Sequence, residues 1–274
     1  MSSTPILRIG LIALAACASG VAQIRQNIEP QLTCQNREQD SRRGHSCEMR
    51  EQNVASNGRL SLETDNGSVT IKGWLQSGVL VRARIDAAGE NDGAAAALAS
   101  RVWIDASGGM VRANGPGRDG DSSWSVSYEV FVPQNGDIDL KSKNGALNIS
   151  DVRGQIHFDA VNGSVRLNRV AGELIGATVN GSIQVELVGN SLDRQMNLST
   201  HNGSVTVTIP SHFSARVQAE TNMGSVSSDF PVPPTQSEPN ARPRKADFNI
   251  GAGGPLIHVT TGNGSVRFKR SETQ

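Results

Sequence analysis

Apolar residues alternate with polar ones in short runs from about residue 60 onward: Leu60, Leu62 and Thr64, then Val69 and Ile71. A period of two puts alternate side chains on opposite faces, so each run reads as a half-buried β-strand. The runs are joined by one recurring phrase, small-x-Asn-Gly-Ser-Val-x-apolar. Its full copies lie at Asn66-Gly67, Asn162-Gly163, Asn180-Gly181, Asn202-Gly203 and Asn263-Gly264. Two degenerate copies complete the series, at Asn144-Gly145 and at Met223-Gly224, where Met replaces the Asn. Glycines 145, 163, 181, 203 and 224 are spaced by 18, 18, 22 and 21 residues, and the step from 224 to 264 is 40, about two periods. A turn repeated at this spacing predicts a solenoid, an all-β stack of short strands with about 18–22 residues per rung.

A second register runs inside the first. Val152-Arg153-Gly154 and Val170-Ala171-Gly172 are again 18 apart, so each rung has two turns and two strands. Alignment of the rungs predicts columns of Ile156 with Leu174, of Ala160 with Thr178, and of Val165, Ile183, Val205 and Val226. Leu167, Val185 and Val207 form another column, whereas Arg166, Gln184 and Thr206 face water. At the corners, Asn tolerates positive φ and Gly adopts it freely, which predicts a tight reversal there. Stacking at the strand spacing would also align the Asn side chains into a hydrogen-bonded ladder, broken at Met223. The phrase is therefore expected to build the fold. A calcium-binding role is disfavoured, because a regular Asp is missing and only Asp65 comes near.

Before residue 134 the pattern is interrupted. Strands are expected over residues 79–85, 102–105, 110–113 and 123–132, with a Gly-rich loop over 114–121. The Ala-rich stretch 92–101 is the one expected helix, capped by Asn91 or Asp92. Pro133 closes its run, since it has no N–H to donate to a ladder. A Pro-rich surface loop follows Val232, and the tail 269–274 is expected to fray.

Composition narrows the class more than the function. The chain has 26 basic and 26 acidic side chains, so no net field points to nucleic acid. Its 29 glycines and 4% aromatics suit many short strands and turns. Residues 1–22 read as an export signal: Arg8 precedes a short apolar stretch and small residues follow. Within it, Leu14-Ala15-Ala16-Cys17 matches a bacterial lipobox, which favours lipidation of Cys17 over plain cleavage after Ala22. Residues 23–52 read as a polar linker, pinned by a disulfide between Cys34 and Cys47 that export to an oxidising compartment would form. The repeat domain is expected over 53–270: N-terminal strands plus helix to 133, then Asn-Gly rungs over 134–270.

No motif supplies chemistry. No nucleophile elbow, phosphate-binding loop, dinucleotide fingerprint or zinc helix is present, and no cofactor is expected. The acids Asp139, Asp151 and Asp159, candidates for polysaccharide cleavage, fall in different rung registers. His157 and His201 are expected on the solvated face, and Trp74, Trp103 and Trp124 in the core or capping the stack.

Several phrases in order resemble the bacterial Toastrack-type domain of unknown function, whose members carry the label "putative adhesin". They are Asn66 to Trp74, the Ala-rich helix, Val130 to Pro133, the Asn-Gly repeats, and Gly251 to Gly254 before Thr260 to Gly264. Residues Cys47 to Glu51 also resemble exported members. The resemblance implies a β-solenoid-like fold at the cell envelope with an adhesive or scaffolding role, and brings no catalytic residues. The expected function is that of a non-enzymatic envelope protein whose partner is a glycan or protein, touching the membrane only through a lipid on Cys17. The alternatives are a carbohydrate-active β-helix enzyme and an accessory protein of an envelope-stress system.

Overall fold

The computed structural model describes residues 32–34, 43–117, 120–232 and 243–271, all within the unit Gln31–Gln274. The signal segment 1–22, Cys17 and most of the expected linker lie outside the described residues.

The chain enters through β1 (Gly44–Val54), β2 (Arg59–Asn66), β3 (Val69–Trp74) and β4 (Val79–Gly89), then helix α1 (Asp92–Ser100). After it come β5 (Trp103–Asp105), β6 (Met110–Asn114) and β7 (Ser123–Pro133). The repeats run through β8 (Asp137–Asn144), β9 (Leu147–Ser150), β10 (Arg153–Asn162), β11 (Val165–Asn180), β12 (Ile183–Leu187), β13 (Met196–Asn202) and β14 (Val205–Pro210). The last strands are β15 (Ala215–Met223), β16 (Val226–Ser228), β17 (Lys245–Ile250), β18 (Leu256–Asn263) and β19 (Val266–Ser271). The fold is all-β and solenoid-like, with one short helix.

Each rung contributes one strand to a front sheet and one to a rear sheet. The front order is β5-β6-β2-β8-β10-β11-β13-β18-β15-β17, and the rear order is β1-β4-β7-β3-β9-β11-β12-β14-β19-β16. Strand β11 serves both sheets, pairing through Val165 in the rear and through Thr178 in the front. Pairing within the repeats is parallel, and antiparallel strands close the ends: β1, β4 and β5 at one, β17 at the other. Inward residues of both sheets, such as Leu62, Ile71, Leu140, Ile156, Leu167 and Val207, form one continuous apolar core. Each such side chain contributes about 1.5–3 kcal/mol on burial.

Three sequence expectations change. First, the linker expected over 23–52 is, from Gly44, the 11-residue strand β1, paired with β4 along its length. Polar residues on both faces of β1, such as Glu48, Arg50 and Glu51, hide the period-two signal. Arg50 donates to the Val102 and Ala99 carbonyls at the end of α1, which ties β1 to the helix.

Second, the rungs do not stack in chain order. Val205 lies on Val266, and Val266 on Val226, so the C-terminal rung is inserted before the one that precedes it in sequence. The columns Ile156 with Leu174 and Leu167 with Val185 and Val207 are as read from the spacing. Third, Lys269–Ser271 of the tail are paired with β14, not frayed. Asn91, rather than Asp92, caps α1, accepting from the Ala94 N–H at 2.9 Å.

Candidate functional site

The corner row comes first, because it positions everything beside it. Asn66, Asn144, Asn162, Asn180, Asn202 and Asn263 stand in register, one per rung. From Asn144 onward each Nδ2 donates to the Oδ1 of the preceding Asn in the stack, over 2.7 to 3.0 Å. The ladder ends at Asn263, whose other neighbour is Met223. Met223 therefore terminates the ladder at the end rung instead of interrupting it, and its side chain is exposed.

Of the corner glycines, Gly67, Gly145, Gly203, Gly224 and Gly264 have the positive φ expected of them, from 130° to 159°, but a second need is common to the whole column. None of the corner Asn residues has positive φ, and Gly163 and Gly181 lie outside the left-handed region as well. What the column shares is close approach. A Cβ on Gly181 would overlap the Gly163 carbonyl oxygen, one on Gly163 that of Gly145, and one on Gly203 that of Gly181. Buried Thr hydroxyls satisfy these carbonyls from the core side: Thr200 donates to Gly181 at 2.8 Å and Thr178 to Gly163 at 3.2 Å. Thr261 and Thr221 repeat the bond to Gly203 and Gly264, both at 2.8 Å. Ala160, in the same column, has no hydroxyl to offer.

Alongside this row runs a groove of about 740 Å³, within the range of ligand pockets. Its floor is built from the same three positions in four successive rungs, 63–65, 141–143, 159–161 and 177–179. The outward side chains on the floor form two columns. One runs Glu63, Lys141, Asp159, Ala177, and the other Asp65, Lys143, Val161, Val179. Its side is formed together by Arg112 and Ala113 of β6, the loop Gly115–Gly117 and Trp124 to Val126 of β7. The Trp124 indole N–H donates to the Pro116 carbonyl at 2.8 Å and anchors that loop. Gly115 fits because a Cβ there would press on the indole and on Val102.

Five of the six charged side chains in the groove are held in ion pairs. Lys143 contacts Asp65 at 2.7 Å, while Lys141 and Arg112 flank Glu63 at 3.7 and 3.9 Å. Toward the repeats the floor becomes apolar, with Val161 and Val179 both exposed. The groove is therefore charged but balanced at one end and aliphatic at the other.

The acids considered for catalysis are dispersed. Asp139 pairs with Arg59 at 3.6 Å, Asp151 with Arg169 at a corner of the rear sheet, and Asp159 lies in the groove. Among the described residues no group of three or more His, Cys, Asp or Glu could hold a metal ion. Cys34 and Cys47 are joined by a disulfide, with Cα atoms 5.8 Å apart. Trp74 is buried against Phe131. Trp103, expected in the core or as a cap, is 57% exposed on the short edge strand β5. Burial pushes the Tyr128 hydroxyl up, partly offset by the Ala113 backbone.

A family model described as Toastrack DUF4097 matches residues 45–268. The chain belongs to the Toastrack family. No curated protein matches this Toastrack chain. Among solved structures it is similar to a "putative cell adhesion protein" from Clostridium sporogenes, at 15% identity, covering 82% of this chain and 100% of that one, with a TM-score of 0.43. It is also similar to a "putative adhesin" from Bacteroides fragilis, at 10% identity over 82% and 97%, TM-score 0.37. A "putative lipid binding protein" from Parabacteroides distasonis is similar at 11% identity over 81% and 96%, TM-score 0.35.

The groove of this Toastrack chain escaped the sequence reading. Its floor comes from rungs separated by up to 116 residues of chain, and its side from the segment before the repeats. The one local signal was the Gly-rich loop after Asn114, legible as a loop but not as a wall.

Proposed function

We propose that this Toastrack chain is a non-enzymatic, exported protein of the cell envelope that binds a ligand along the groove of its front sheet. The observation that carries the reading is the floor itself. Four rungs bring the same three positions into line, and a loop anchored on Trp124 turns that face into a concavity. A solenoid repeats its surface as it repeats its core, so extended binding faces are what such folds present. The side chains in the groove are held by one another rather than aimed at a common reacting point, which suits recognition. The Cys34–Cys47 disulfide supports export, because such bonds persist in oxidising compartments.

In the same reading residues 1–22 direct export, and Cys17 carries a lipid that anchors the chain to the membrane. A disulfide-bonded segment then leads into the repeat domain, which ends near residue 270. Intact mass of the mature protein tests the anchor: the expected chain begins at acylated Cys17, and one beginning at unmodified Gln23 removes it.

The binding role is tested by screening the purified protein against envelope glycans and proteins, beside the variant Val161→Asp. Capture that the substitution abolishes supports the groove. Capture that survives it places recognition elsewhere, and release of shorter fragments from a captured polysaccharide would replace binding by catalysis.

A further inference from the structure

We propose that the groove takes an uncharged oligosaccharide laid along the stacking axis, across four rungs. The inference rests on the binding reading above and adds the ligand class. The first argument is charge. Glu63, Asp65 and Asp159 are matched by Arg112, Lys141 and Lys143, and five of the six are held in ion pairs within the groove. An anionic or cationic polymer would meet no net field and would have to break pairs to make its own. A neutral polyol meets both donors and acceptors already oriented, and can bond to their unused valences without separating them.

The second argument is shape and polarity. The groove is open along the sheet, and the apolar part of its floor consists of Val161, Val179 and Ala177, beside Pro116 and Trp124 of its side. An acyl chain running the length of the floor would lie over the paired charges at its other end and strip them of water. A sugar ring presents a small C–H face and a hydroxyl edge, which match an aliphatic floor beside paired charges. The four rungs span about 14 Å at the strand spacing, so a short oligosaccharide fills the floor.

The third observation lies beyond the wall. Trp103 is opposite Asn114 in the β5–β6 pair, and Asp105, two residues on, is opposite Arg112, which lines the groove. Register therefore puts the 57% exposed Trp103 on the same outward face, at the end of the stack. An indole there offers a flat apolar surface with a polar edge, the property that suits a sugar ring.

Titration calorimetry of the full chain tests the proposal, using neutral gluco- and manno-oligosaccharides, an oligogalacturonate and a mixed-charge peptide set. The expected result is binding of a neutral oligosaccharide, unchanged between about 50 and 500 mM salt, since no ion pair with the ligand is screened. Val161→Asp weakens it at least tenfold and Trp103→Ala several-fold, each with an unchanged melting temperature, because both side chains are exposed. Binding of only the oligogalacturonate or peptides, lost in Val161→Asp, overturns the neutral-sugar inference and leaves the binding groove standing. If no probe binds in a way that depends on Val161, both fall.

Discussion

The Nδ2 of Asn263 donates to the Oδ1 of Asn202 at 2.7 Å, although 61 residues of chain separate them. On its other side Asn263 lies in register with Met223. The chain thus builds its terminal rung with β15 and β16, turns back through β17 antiparallel to β15, and returns to fill the place it left. The end of the front sheet is closed by that antiparallel strand, and β19 lies between β14 and β16. Solenoids need a modified final repeat to hide their edge, and here reversed chain order supplies it.

The Asn ladder makes a middle member more costly to lose than an end one. Asn180 both donates to Asn162 and accepts from Asn202, each at 2.8 Å. Asn180→Ala removes both bonds and is expected to cost about 1–3 kcal/mol, at about 0.5–1.5 per bond. Asn66→Ala, at the end, removes one bond and should cost about half as much. Urea denaturation of the two variants checks the ratio, and equal losses would count against a continuous ladder.

Gly181→Ala separates close approach from backbone conformation. Its φ lies outside the left-handed region, yet a Cβ would overlap the Gly163 carbonyl oxygen. The substitution should cost about 1–3 kcal/mol, the usual penalty of overpacking. Gly78→Ala is the control, since that glycine also lacks a left-handed φ and a Cβ there meets open space. Thermal unfolding should show a loss in the first variant and none in the second.

Ala160 interrupts the inner column of hydroxyls. Its neighbour Thr178 donates to the preceding glycine carbonyl, and Ser142, one rung the other way, makes no such bond. Ala160→Thr places a hydroxyl where the Gly145 carbonyl can accept it. The expected gain is about 0.5–1 kcal/mol, read as a higher denaturation midpoint; a loss would mean that the core cannot admit the extra methyl group.

The end strand β17 has its own pH dependence. A hydrogen bond from Arg216, joined by one from Gln218, holds the Asp247 carboxyl below its ordinary value. Because the folded value is the lower one, the stabilisation is complete above the ordinary carboxylate range, about 3.9. It is lost as pH falls through the depressed value. The groups are exposed, so the effect is small and local. Protection factors for β17 amides should fall between pH 5 and pH 2 in the parent (about one carboxyl's titration range) and less so in Asp247→Asn.

The strands of each rung, the inward columns and the Asn ladder were legible because they repeat locally: Ile156 predicts Leu174, and Asn162 predicts Asn180. Rung order was not legible. Both candidate corners offer Val205 the same Gly-Ser-Val edge, ending in Val226 or Val266. Only the residue before that edge differs: Asn263 bonds to Asn202, which Met223 cannot do. Strand β1 was hidden for a related reason: with polar residues on both faces, its partner β4 and not its own pattern makes it a strand. Likewise Trp124 reads as core filler by itself, and becomes a wall only when the loop at Pro116 folds onto it.

Stacking order decides which outward side chains share a face, and it can be tested by cross-linking. Parallel in-register partners bring Cα atoms within disulfide range, about 4.4–6.8 Å. Under mild oxidation Asn202→Cys with Asn263→Cys should cross-link in high yield, and Asn202→Cys with Met223→Cys should not, as read by peptide mass mapping. A cross-link between positions 202 and 223 in place of 202 and 263 would contradict the inserted rung and with it the order of the repeat face.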